Sequence, residues 1–110
     1  MAHLGTIDFV GRSGRSYTFN VYNFGSSWRG VAAVYVVARP RRSASGNLVL
    51  DPVYIGQTDN LKEQLSKRHQ RSCLDVYQAN KVCLLLEASE SIRLEVESDL
   101  LAQWPTPCNN

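Results

Sequence analysis

Residues 54–69 read YIGQTDNLKEQLSKRH, and the fold turns on how this stretch is parsed. An aromatic-tipped apolar segment stops at Gly56, polar residues make a turn, and a helical pattern opens with Leu61 and Leu65 on one face. Asp59 or Asn60 serves as N-cap. With Asn60 there, Glu63 falls at the third helical position and completes a capping box. The helix runs on to His69. Its polar face carries Gln64 and Arg68, four residues apart on one side, and turns them back toward Tyr54 and Gly56.

On the N-terminal side, NLVLDPVYIG reads as a strand in which Pro52 marks a bend or an edge position. Before it, RPRRSASGN is a basic connection. VAAVYVVA before that is a continuous β-branched run, expected as a central strand buried on both faces. FGSSWRG is loop-like. TIDFV and SYTFNVY alternate apolar with polar residues around GRSG, which predicts an antiparallel hairpin with Ile7, Phe9, Tyr17, Phe19 and Val21 on buried faces.

On the C-terminal side, CLDVYQAN predicts a short second helix and KVCLLLEA a buried strand. A longer helix opens near Ser89 or Ser91, with Glu90 placed favourably against its dipole. Ile92, Val96 and Leu100 are its expected inward stripe, Leu101 and Trp104 lie alongside, and Pro105 stops it. The expectation is therefore a small α+β domain, a mostly antiparallel β-sheet flanked by helices, with an N-terminal β-hairpin.

At 110 residues the chain suits one domain, with residues 1–30 as the hairpin extension and residues 31–109 as the core. Apolar residues make up 44% and charged residues 20%, the proportions of a globular protein, which excludes a disordered chain. The longest apolar run, Val31 to Ala38, is too short to cross a bilayer, and no secretory pattern opens the chain, so the expected location is cytoplasmic with no membrane partner. Cys73, Cys83 and Cys108 cannot all pair and are expected as reduced thiols. Their spacing is poor for zinc, although His69 and Cys73, one helical turn apart, could form half a site. Charge is uneven: up to Gln57, six arginines oppose Asp8 and Asp51, whereas the remainder holds six basic and eight acidic residues.

Three segments together resemble the GIY-YIG nuclease family: AVYVV with Tyr35, then YIG with Tyr54, Ile55 and Gly56, then QTDNL opening a helix that ends in a histidine. The stretch RLEVESDLLAQWPTPCN independently resembles the glutamate-bearing helix and proline-asparagine tail of that family. The resemblance spans roughly residues 31–109 and keeps the family's order. It implies a GIY-YIG-like fold and a metal-dependent endonuclease that hydrolyses DNA with one divalent ion, Mg2+ or Mn2+. By position, Tyr35 and Tyr54 match the two motif tyrosines, one of which activates water. Gly56 matches the glycine that lets the backbone turn tightly under a phosphate. His69 matches the helix-end histidine, Glu97 the metal-binding carboxylate and Asn109 the supporting asparagine.

Phosphodiester hydrolysis needs a base for water, stabilisation of the developing charge and, commonly, a metal for the leaving oxygen. Magnesium keeps several waters, so Glu97 alone is an adequate anchor. The chain departs from the family in two places. In the first motif Ala33 and Val34 stand for glycine and isoleucine, and in the helix Gln64 stands where the family places an arginine, a neutral amide in place of a cation. Arg68 is the expected partial replacement. Arg39, Arg41, Arg42 and Lys67 are expected to hold the nucleic-acid backbone.

Taken singly, these residues have plainer readings: buried aromatics for the tyrosines, a surface i,i+4 ion pair for Arg93 and Glu97, a dipole complement for His69, and a frayed end for Asn109. The alternative function is accordingly a catalytically inactive GIY-YIG-fold module that binds nucleic acid or protein. So small a chain offers little surface for sequence recognition, and cleavage is expected to be weakly specific or to depend on a homodimer or a protein partner.

Overall fold

The structure is a computed structural model and describes residues 3–25, 27–66 and 71–109. The chain begins with the hairpin β1 (His3–Val10) and β2 (Ser16–Asn23), in register from Val10↔Ser16 to Ile7↔Phe19. Gly14 closes the turn at φ +89°, a backbone conformation that glycine adopts without strain. Phe9, Phe19 and Val21 are buried and Ile7 and Tyr17 pack against them, as the alternation requires.

A second, longer hairpin follows: β3 (Ala33–Arg42) and β4 (Leu48–Thr58), turning at Gly46, φ +88°. The basic connection expected over residues 39–47 is thus mostly strand, because Arg39–Arg42 pair with residues 48–51. Nor does the second strand stop at Gly56. It continues through Gln57 and Thr58, paired with Val34 and Ala33. The fifth strand, β5 (Lys81–Leu86), lies between β2 and β3, giving one antiparallel sheet in the order β1-β2-β5-β3-β4. The N-terminal hairpin therefore enlarges the core sheet, since β2 pairs directly with β5.

Both faces of this sheet are covered, which is why Ala33–Ala38 are buried without interruption. Val34, Val36 and Ala38 face Phe19, Ile55 and Cys83, with Val96 and Leu100 of α3 (Glu90–Gln103) packed over them. Ala33, Tyr35 and Val37 face the other way. They meet Leu61 of α1 (Leu61–Ser66), Leu74 of α2 (Arg71–Val76) and Cys108 of a C-terminal 3-10 turn (Pro107–Asn109). Truncating the fully buried Phe19 to alanine would cost about 3–5 kcal/mol.

The helix ends follow local chemistry. Asn60 Oδ1 accepts the Glu63 N–H at 3.2 Å, capping α1, while the Asn60 N–H donates to Thr58 Oγ1 at 3.1 Å, the half of the capping box expected from Glu63. Ser89 caps α3 through the Ile92 N–H. The inward stripe of α3 differs from expectation: Arg93, Val96 and Leu100 are buried, while Ile92 is 43% exposed and Leu101 37%. Arginine displaces isoleucine from the interior because three acceptors wait for its guanidinium, as described below. Among the described residues, no helix is long and apolar enough to cross a membrane.

Candidate active site at the edge of strand β4

Tyr35 on β3 lies opposite Gly56 on β4. A Cβ at position 56 would sit 2.7 Å from Tyr35 Oη and 3.0 Å from Tyr54 Cε1, so glycine is the residue that leaves room for both rings. The tight turn expected at Gly56 is absent, and its role here is close packing within a strand. The two phenol rings stack with centroids 5.9 Å apart and planes 23° from parallel. From α1, Gln64 Nε2 donates to Tyr35 Oη at 3.2 Å. Tyr35 is only 3% exposed, whereas Tyr54 is half-buried.

Burial is the main reason that the Tyr35 phenol is pushed well above its ordinary acidity range. The neighbouring Tyr54, through its proximity and a hydroxyl hydrogen bond, and the Glu97 carboxylate push the same way, against the opposing hydrogen bond from Gln64. A cation beside the phenols would do the reverse. Tyr35 accordingly keeps its proton.

Glu97 reaches the same edge from α3, on the opposite face of the sheet. It is half-buried, and desolvation raises its pKa, against a hydrogen bond from the Gln57 backbone N–H that lowers it. The plain i,i+4 pairing of Glu97 with Arg93 does not form. The buried Arg93 instead donates through Nε to Gln57 Oε1 at 2.9 Å and through a terminal nitrogen to the carbonyls of Glu87 (3.0 Å) and Ala88 (2.9 Å). This seats the start of α3 on β4.

Glu97 fits a hard divalent ion in the chemistry of its donors. It is a half-buried carboxylate outside the salt bridges of the described residues, and among those residues it accepts the Gln57 N–H, which leaves most of its lone pairs for a ligand. Among the described residues there is no group of three or more His, Cys, Asp or Glu of the kind a zinc site needs.

Strand β4 is the end of the sheet, and its outward backbone groups are used two residues apart. The Gln57 N–H goes to Glu97, and the Ile55 N–H donates to Asn109 Oδ1 at 2.9 Å while Asn109 Nδ2 donates to the Ile55 carbonyl at 2.8 Å. Asn109 is therefore docked like a short partner strand, where a frayed end was the plainer expectation. Just before it, Cys108 is bonded to Cys73 of α2, with Cα atoms 5.7 Å apart. The expectation of three reduced thiols is corrected by this pairing, which also takes Cys73 out of the half zinc site that its spacing from His69 allowed. Packing of the 3-10 turn against α2 brings together residues that are 35 apart in sequence. Cys83 stays free, and burial pushes its thiol up to about 12.

The basic residues separate into two groups. Arg41 grips Asp51 with Nε at 2.7 Å and a terminal nitrogen at 3.1 Å, Arg39 approaches the same carboxylate at 3.8 Å, and Arg42 donates to the Gly46 carbonyl at 3.0 Å. All three lie along the β3–β4 hairpin, with one aspartate offsetting part of their charge. Lys67, Arg68 and His69 lie outside the described residues. Tyr35, Tyr54, Gly56, Gln64 and Glu97 thus share one corner, with Asn109 behind it. Gln57 and Arg93 belong to the same corner: the sequence offered no sign of Gln57, and of Arg93 only its four-residue spacing from Glu97, read as a surface pair. Compared with family models, with curated proteins and with solved structures, the chain matches none.

Proposed function

We propose that the chain is a GIY-YIG-type endonuclease that hydrolyses DNA phosphodiester bonds with one divalent ion, Mg2+ or Mn2+, held by Glu97. The observation that carries this reading is the stack of two phenols around Gly56, with the half-buried Glu97 carboxylate at the same sheet edge close enough to act on the Tyr35 phenol. When bound, the ion supplies Lewis-acid stabilisation of the phosphate and leaving oxygens.

The chain's own groups divide the remaining work. Tyr35, sealed and protonated, is a hydrogen-bond donor held in place by Gln64, and a poor base. Tyr54 is the phenol that solvent reaches, and so the one that orients the attacking water. The Gln57 N–H and the anchored Arg93 fix where Glu97 stands. The Arg39–Arg42 arm lies along the duplex backbone, and Lys67, Arg68 and His69 supply further charge to the phosphates.

Nicking of supercoiled plasmid in Mg2+ or Mn2+ tests this. Wild-type activity should vanish in a chelator and fall by at least about a hundredfold in Glu97→Gln, the scale of losing one charge-stabilising group. It should fall further in Tyr54→Phe than in Tyr35→Phe, and rise in Gln64→Arg. No metal-dependent nicking by the wild type would overturn the proposal.

A second reading, a module that binds nucleic acid without cutting it, is favoured by one observation: the amide standing in the arginine position is engaged with Tyr35. Salt-sensitive DNA binding without cleavage would select it. Binding to protein alone would select the interaction module.

A further inference from the structure

We propose that the Cys73–Cys108 pair is a redox lock on the edge of β4: closed, it holds the C-terminal turn so that Asn109 covers Ile55; opened, it releases that cover. The proposal is independent of the nuclease reading. Three observations carry it. The disulfide ties the 3-10 turn to α2, which is otherwise a separate element of the chain. The residue after Cys108 makes both of its side-chain amide hydrogen bonds to one backbone unit, the N–H and carbonyl of Ile55. And that unit lies between Tyr54 and Gly56, so the lock acts on the corner where the phenols stack.

The chemistry is thiol–disulfide exchange. Cys73 is partly exposed and Cys108 is fully buried, so the accessible sulfur is that of Cys73. A reducing thiolate attacks it, the Cys73–Cys108 bond breaks, and Cys108 leaves as thiolate and takes a proton. The second thiol of a dithiol then resolves the mixed disulfide at Cys73, the dithiol is oxidised to its cyclic disulfide, and two protein thiols remain. Closing runs the other way, with two electrons and two protons passing to a disulfide oxidant such as oxidised glutathione. Cys83 takes no part: it is buried within the sheet with its thiol held protonated.

With the pair open, the short turn keeps only its packing, and the outward N–H and carbonyl of Ile55 are left to water for part of the time. The experiment is amide hydrogen exchange followed by NMR on the full chain, before and after dithiothreitol. The Ile55 amide should exchange about tenfold faster or more after reduction, while Val36, in the middle of the sheet, keeps its rate, because the opening is local. Equal rates at Ile55 in the two states, or a rise at Val36 as large as at Ile55, would overturn the lock. Alkylation in denaturant without reductant should label Cys83 alone, and three labelled cysteines would overturn it too. Cys73→Ser with Cys108→Ser should reproduce the reduced protein. If that double variant fails to fold, Asn109→Ala with the disulfide intact serves: it should speed Ile55 exchange to the same degree, and an unchanged Ile55 rate would remove Asn109 as the link.

Discussion

Two carboxylates stand two residues apart on α3 and live in opposite conditions. Asp99 accepts the Ser13 N–H at 2.8 Å, the Ser13 hydroxyl at 2.6 Å and the Tyr17 hydroxyl at 2.7 Å, which clamps the β1–β2 turn onto the helix. Those bonds, Ser13 first and Tyr17 next, hold its pKa below the usual aspartate range. Glu97 accepts one backbone N–H, is half-buried, and is held above the usual glutamate range. Each lies near a glycine with no room for a side chain: a Cβ on Gly11, just past β1, would overlap the Asp99 carboxylate, and a Cβ on Gly56, within β4, would press on Tyr35. At Asp99 the acid's acceptor capacity is used to hold the fold, and at Glu97 the described residues leave most of it open in a poorly solvated place. An open acceptor of that kind is what a cation or a reacting group requires.

The largest effect should come from exchanging charge for amide at each site. Glu97→Gln should cost at least about a hundredfold in metal-dependent nicking while leaving thermal stability unchanged or raised, since it removes a half-buried charge. Asp99→Asn should lower the melting temperature and leave nicking at the wild-type rate. Plasmid nicking and thermal melting of the two variants together check this. Loss of activity in both, or stability changes of the same sign, would mean that the two carboxylates are not divided in role.

The glycines give the next effect. Gly56→Ala forces a methyl group against the buried Tyr35 ring, which has no free direction to move, so it should destabilise by about 1–3 kcal/mol in urea unfolding. Gly11→Ala meets only the end of the Asp99 side chain, which can swing into solvent, and should cost less. If Gly11→Ala proved the more damaging, the Asp99 clamp would matter more to the fold than the stacked phenols do.

Much of this architecture was legible in the sequence because its causes are local. Alternation in TIDFV and SYTFNVY, the β-branched run at VAAVYVV, and the caps at Asn60 and Ser89 each act within a few residues. What escaped depends on partners that no local periodicity brings together. Gly56 reads as a stop until Tyr35 is known to lie across from it. Ile92 reads as inward until the Glu87 and Ala88 carbonyls and Gln57 gather around Arg93, which makes a buried guanidinium cheaper than an exposed isoleucine is costly. The pairing of Cys73 with Cys108, and the grip of Asn109 on Ile55, come from a C-terminal turn whose docking no periodicity announces. For the candidate site, the family resemblance singled out Tyr35, Tyr54 and Glu97 as candidates, but it said nothing of the conditions that decide their chemistry, because acidity follows from burial and neighbours.

The smallest effect is in pH, and it follows from the signs of the two shifts. The folded pKa of Asp99 is lowered from 3.8, so its contribution to stability is complete above that value and disappears as pH falls through the folded pKa. The folded pKa of Glu97 is raised from 4.5, so the folded protein takes up its proton more readily than the unfolded one does. Its penalty is therefore absent below 4.5 and grows as pH rises from there through the folded pKa. Melting temperatures measured from about pH 3 to about pH 7 should separate the two. The deficit of Asp99→Asn relative to wild type should close toward the acid end, and any advantage of Glu97→Gln should open toward neutrality. A bound divalent ion removes the Glu97 part selectively, because it offsets the buried charge that desolvation disfavours. Adding Mg2+ at neutral pH should thus raise the wild-type melting temperature and leave that of Glu97→Gln where it was, while Asp99→Asn gains as much as the wild type.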